Sequence, residues 1–169
     1  MIAGLLLVSC GKKKEQTEDI IVEKVVEKPQ DSTTKMSDLK LDGKASWING
    51  AEYSYELYRS STDSLPKVTN HDVEYQDNQV KLVVRRNDGS VFFQKTFTKS
   101  NFANVLPESF RKNGVLLGIN FDKTDGNDML FVASVGSPDE TLEEFYYVQL
   151  VLNNFGATRA EEYKTVTLE

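Results

Sequence analysis

A single histidine, His71, limits the acid–base chemistry open to this chain, because any Ser-His-Asp arrangement or imidazole-held metal must use that one ring. It stands in Thr69-Asn70-His71-Asp72, between two candidate strands, and no Gly-x-Ser-x-Gly or His-x-x-x-His pattern accompanies it. It therefore reads as a solvated loop residue. Carboxylates gather in two places. Residues 122–128 have the oxygen-rich character of a calcium loop, but Asp122 and Asp125-Gly126 are spaced one residue too closely for an EF-hand and no Glu takes the bidentate position; a hairpin turn accounts for them. Asp139, Glu140, Glu143 and Glu144 supply paired carboxylates of the kind a glycosidase needs, yet nothing beside them completes such a site, and a solvated turn explains them. No pattern requires a cofactor or a metal, and no residue is assigned a catalytic role.

Tyrosines are the more informative surplus. Tyr53, Tyr55, Tyr58, Tyr146 and Tyr147 fall on alternating runs, and a tyrosine joins an apolar body to a polar tip that suits recognition surfaces. Tyr146 and Tyr147 are adjacent, so on a strand they face opposite sides and one points away from the main core. Lys81, Arg85 and Arg86 form a small basic patch near the first group in sequence, suited to an acidic partner or to keeping an exposed strand soluble. These eight residues are the candidate binding surface.

The one cysteine, Cys10, follows Leu5-Leu6-Leu7-Val8-Ser9 and precedes Gly11. The stretch Leu7-Val8-Ser9-Cys10-Gly11 resembles the lipobox of bacterial lipoproteins. That resemblance implies diacylglycerol on the Cys10 sulfur, cleavage just before it, and an acylated amino terminus, with residues 1–10 the end of a signal. Met1-Ile2-Ala3-Gly4 lacks the basic region of such a signal, so on this resemblance the start of the signal is expected upstream. Acyl chains contribute about 0.8 kcal/mol per buried methylene, and two or more hold a protein on a bilayer where one does not. Lys12, Lys13 and Lys14 would then meet the headgroups. An acylated Cys10 leaves no thiol for a disulfide, a nucleophile or a zinc site. The expected address is the cell envelope, lipid-anchored, in the outer membrane of a Gram-negative bacterium.

Of 169 residues, 39% are hydrophobic and 27% charged, as in one globular domain with a tail. No run is long enough to span a bilayer as a helix. Residues 11–44 hold eight Lys against eight Asp/Glu and no aromatic side chain, and read as a flexible charged tether. Within it, residues 20–28 carry Ile20, Ile21, Val22, Val25 and Val26, so an arm that pairs with a sheet edge is the sharper alternative to a spacer. Residues 45–169 hold twelve Lys/Arg against eighteen Asp/Glu, an acidic balance that argues against nucleic acid as a partner.

From Trp47 onward apolar residues recur at every second position, with turn residues between the runs. The runs at 51–57, 80–85, 91–97, 115–121, 129–135 and 146–152, with a closing one at 163–168, predict about seven strands. Asn87-Asp88-Gly89-Ser90 marks one tight hairpin. Ser100 is the expected cap of a short helix at 101–106, and Pro107 opens a second turn that Gly114 ends, with Phe102, Leu106 and Phe110 on one face. The predicted fold is mainly β: one antiparallel domain at 45–169, a sandwich or open barrel with one short helical element.

Leu65-Pro66-Lys67-Val68, Asp77-Asn78, Asp88-Gly89-Ser90 and Phe97-Thr98-Lys99-Ser100-Asn101-Phe102 resemble stretches of small lipid-anchored envelope proteins of Bacteroidetes type. The resemblance spans residues 56–68, 75–78 and 88–102, with 133–139 adding a weaker match. It implies a domain of unknown function and transfers no site residues. The expected role is a non-enzymatic envelope module that binds a protein or a glycan. The alternatives are a carrier with an apolar ligand inside a barrel and, third, a hydrolase with an unrecognised carboxylate site.

Overall fold

The computed structural model describes residues 32–164, which form ten strands and one α-helix. Cys10, residues 11–31 of the expected tether with the apolar stretch at 20–28, and residues 165–168 of the expected closing strand lie outside the described residues. No helix among the described residues is long and apolar enough to cross a membrane.

In chain order the strands are β1 (Leu39–Trp47), β2 (Ala51–Ser61), β3 (Lys67–Asn70), β4 (Val73–Gln76), β5 (Asn78–Arg86), β6 (Val91–Thr98), β7 (Val115–Asp125), β8 (Asp128–Gly136), β9 (Phe145–Asn153) and β10 (Thr158–Glu162). Two antiparallel meanders result, β1-β2-β5-β6 and β7-β8-β9-β10, with β3 and β4 an inserted hairpin. Alternation produces them. Tyr53 and Leu57 of β2 are buried, as are Val80, Leu82 and Val84 of β5, while Glu52, Glu56, Lys81 and Arg85 hold the other face in water. At the β5–β6 turn the Asp88 carboxylate accepts from the Ser90 amide at 2.9 Å, and Gly89 takes the positive φ of 84° that the turn requires.

The inner faces meet in one apolar cluster in which Leu57, Leu82, Phe97, Ile119, Met129, Phe131 and Leu150 are all but inaccessible. β7 crosses beneath the first sheet: its start meets Asp77, Asn78 and Arg59, and its end meets β1, where the Thr124 hydroxyl donates to the Ser46 carbonyl at 3.0 Å. The entry corner is polar. Asp77 Oδ1 accepts from the Leu116 amide at 2.9 Å and from the Asn78 amide at 2.8 Å, while Oδ2 lies 3.4 Å from Lys99 Nζ, which donates to the Gly114 carbonyl. These bonds tie β5, the segment after β6 and the start of β7 into a knot away from water.

That segment holds the helical element. The Thr98 amide donates to Asn101 Oδ1 at 2.8 Å, so Thr98, not Ser100, heads the 3-10 turn Lys99–Phe102. The helix α1 follows Pro107 as Glu108–Asn113. Phe102 and Leu106 are buried and Phe110 is half-buried against the core, the shared face the spacing predicts.

Ten strands replace the expected seven, and each addition has a physical reason. β1 begins at Leu39, inside the stretch read as tether, because its inward positions include Gly43 and Ala45, which carry too little apolar signal to stand out. β3 and β4 are four residues each, too short for a period to register. The last described strand is Thr158–Glu162, ahead of the expected one at 163–168, most of which lies outside the described residues; as an edge strand it leaves Arg159, Glu161 and Glu162 exposed, and Ala160 is the one apolar side chain it packs against the core.

Candidate binding cleft

At one end of the sandwich three segments distant in sequence surround an open cleft of about 840 Å³. One wall is the β3–β4 hairpin. Asn70 pairs with Val73, leaving His71 and Asp72 as a two-residue turn with φ of 46° and 64°. Such a turn twists the way strands do, and Asn-Gly ordinarily supplies it; here two side chains that prefer negative φ are held there. A second wall is Ser109 and Phe110 of α1.

The third is the loop from Ser137 to Phe145. The Ser137 amide donates to the Glu144 carbonyl at 2.7 Å and closes it, with Glu143 at φ 48°. Gly136 is what lets the closure happen: a Cβ there would lie 2.0 Å from the Glu144 carbonyl oxygen. Beneath the cleft, Asn70 joins all three walls, accepting from the Ser137 hydroxyl at 2.8 Å and donating to the Asn113 carbonyl at 2.8 Å. Above, His71 Nε2 meets Glu144 Oε2 at 2.8 Å.

The charge around this pair is one-sided. The hydrogen bond and charge of Glu144 raise the His71 pKa above its ordinary value, against a small opposing effect of burial, and Asp139 and Asp72 add to the rise. Asp139 is held below the ordinary carboxylate value by the hydroxyl and amide of Thr141, which donate to it at 2.6 and 3.0 Å. The cleft is thus an acidic surface that carries one titratable cation.

The residues expected to form a binding surface do not converge. Tyr53 is buried edge-on to Trp47, with ring centroids 5.1 Å apart, and Tyr55 stacks on Phe121 at 4.7 Å; both serve the core. Tyr58 lies on the outer face of the first sheet and donates its hydroxyl to Asp38, which raises its pKa. Lys81 and Arg85 share that face, with Arg85 3.8 Å from Glu56. Arg86 turns to the opposite face and lies over the Phe92 ring at 5.2 Å, so the basic patch is split. Tyr146 and Tyr147 do face opposite ways: Tyr146 packs against Phe110 at the cleft wall, and Tyr147 is exposed beside Phe145. None of the eight lines the cleft; these two come nearest, through their ring contacts with the lining residues Phe110 and Phe145.

His71 and Glu144, each read as a solvated turn residue, are the pair sequence reasoning missed; the contact joins positions 73 apart and no local pattern announces it. Within the acidic stretch at 122–128 the hairpin turn is Gly126-Asn127 alone, between Asp125 at the end of β7 and Asp128 at the start of β8, and Asp128 is bound by Arg159 at 3.0 Å. No group of three or more metal-ligating side chains among the described residues could hold an ion.

A family model described as a domain of unknown function, DUF4738, matches residues 18–159. No curated protein matches the chain.

Proposed function

The chain belongs to the DUF4738 family of domains of unknown function, and we propose that it is a non-enzymatic, lipid-anchored envelope module that binds another envelope component in the cleft around His71 and Glu144. One observation carries the cleft. Among the described residues Asn49, His71, Asp72 and Glu143 are the non-glycine positions with positive φ, and the last three line it. Such conformations cost of order 1–3 kcal/mol each and persist where the surroundings over-determine them, most often at binding sites. Here two loops remote in sequence carry the strain to one place.

Two further observations favour binding in the cleft over the alternatives. The inner faces of the sheets are filled by their own side chains, which leaves an internal carrier site little to be built from. The Ser137 hydroxyl beneath the cleft is committed to Asn70, so it is not poised as a nucleophile. The anchor rests on Cys10 and its lipobox resemblance alone.

The test is an envelope pull-down with detergent partitioning. Ser109→Trp places a large side chain in the cleft from an exposed position on α1, so it should melt like wild type and recover none of the wild-type partner. Cys10→Ala, expressed behind a complete lipoprotein signal, should leave the detergent phase because alanine cannot form the thioether. Recovery of the same partner by Ser109→Trp would remove the cleft from the proposal, and detergent partitioning by Cys10→Ala would remove the anchor.

A further inference from the structure

Phe145 borders the cleft and is 45% exposed; Tyr147, two residues on and on the same face of β9, is 43% exposed. Their ring centroids are 5.1 Å apart, and Tyr163 continues the row with its centroid 5.6 Å from that of Tyr147. Across the ladder the partner of Phe145 is Gly136 and that of Tyr147 is Ser134, so no bulky neighbour on β8 covers either ring. Two large apolar rings left in water side by side are costly unless something uses them.

We infer that the cleft takes a glycan chain, neutral or amine-bearing rather than anionic, whose sugar rings stack on Phe145 and Tyr147 while its hydroxyls donate to the carboxylates of Asp72, Glu143 and Glu144. The inference rests on the cleft being the binding site. A pyranose has a C–H face and a rim of hydroxyls, and it needs an aromatic face beside hydrogen-bond acceptors, the combination found where the row of rings meets the cleft wall. Phosphate or uronate groups would meet like charge there. An extended peptide would instead take main-chain bonds from a free strand edge. At this hairpin the β4 edge is occupied, since the Thr34 amide donates to the Glu74 carbonyl at 2.8 Å and the Gln76 amide donates to the Thr34 carbonyl at 2.9 Å.

The full chain should be tested on a printed panel of neutral, amine-bearing and anionic glycans, together with a lysine-rich peptide, and hits followed by calorimetry. Saturable binding to neutral or amine-bearing glycans and none to anionic ones is expected. Phe145→Ala and Tyr147→Ala should each weaken it tenfold or more with unchanged melting, while Tyr147→Trp, which keeps a ring, should retain it. Binding of only anionic glycans or only the peptide, or glycan affinity indifferent to loss of both rings, would overturn the inference. If no panel member binds but Ser109→Trp still loses the envelope partner, the glycan class is wrong and the cleft stands. If Ser109→Trp keeps that partner, the cleft itself is wrong.

Discussion

Asp77 and Lys99 lie 3.4 Å apart with 6% and 15% of their side chains exposed; His71 and Glu144 lie closer, at 2.8 Å, with 55% and 49% exposed. The shorter pair is the weaker one. In water a pair such as His71–Glu144 is screened and must hold two side chains still, so it contributes little to stability. Asp77 has given up hydration and taken amide hydrogen bonds from Asn78 and Leu116 in its place, so the corner where β7 begins depends on it. Similar chemistry serves the fold in one place and stays open to solvent in the other, and burial makes the difference.

Removing the buried carboxylate tests the comparison hardest. Asp77→Ala strands the Lys99 ammonium and the Leu116 amide together, and should cost about 3–5 kcal/mol by urea unfolding, the usual penalty for breaking a buried pair. His71→Ala, measured alongside, should shift the transition far less. Equal losses would erase the distinction between the two regions.

Gly136→Ala should rank second. The added Cβ collides with the Glu144 carbonyl, so the loop must move to admit it; overpacking of this kind costs about 1–3 kcal/mol. Because the displaced segment carries Glu144 and Phe145, partner recovery should fall as well. A variant that loses stability but binds normally would show that the loop's position does not matter to the cleft.

The smallest effect is a pH dependence. His71 is raised above the ordinary histidine value of about 6.5, so the folded state holds its proton more tightly than the unfolded chain does. The contribution of the protonated pair is full below about pH 6.5 and is lost as pH rises through the folded value. Wild type should therefore melt above His71→Gln near pH 5.5, with the gap closing toward pH 8.5. Asp139, shifted downward, stays ionised throughout and does not alter the sign. A gap that widens with pH would mean that Glu144 does not hold the imidazolium.

Most of the fold was legible because a strand records its surroundings every second residue. Val80, Leu82 and Val84 announced β5 and its inward face, and Asp88-Gly89 announced the turn after it. The signal failed where a strand has little to bury: Ala160 is the one apolar side chain β10 packs on the core, and β1 uses Gly43, where a Cβ would meet the Tyr55 hydroxyl at 2.2 Å. The tyrosines failed differently. Alternation placed Tyr53, Tyr55 and Tyr58 on one strand, but Tyr58 stands one register step out of phase and faces water while the other two face the core.

By itself, then, the amino-acid order determined the β class, most of the strands, the tight turns and the apolar face of the segment after β6, because each is set by residues within one or two turns of chain. Only the tertiary structure decided that Asp77 would be buried against Leu116, and that a hairpin tip and a loop 73 positions away would meet at His71 and Glu144. Those contacts depend on how the two meanders close on each other. A polar side chain carries the same identity in water, in a knot or in a cleft, and the role follows from which of these surrounds it.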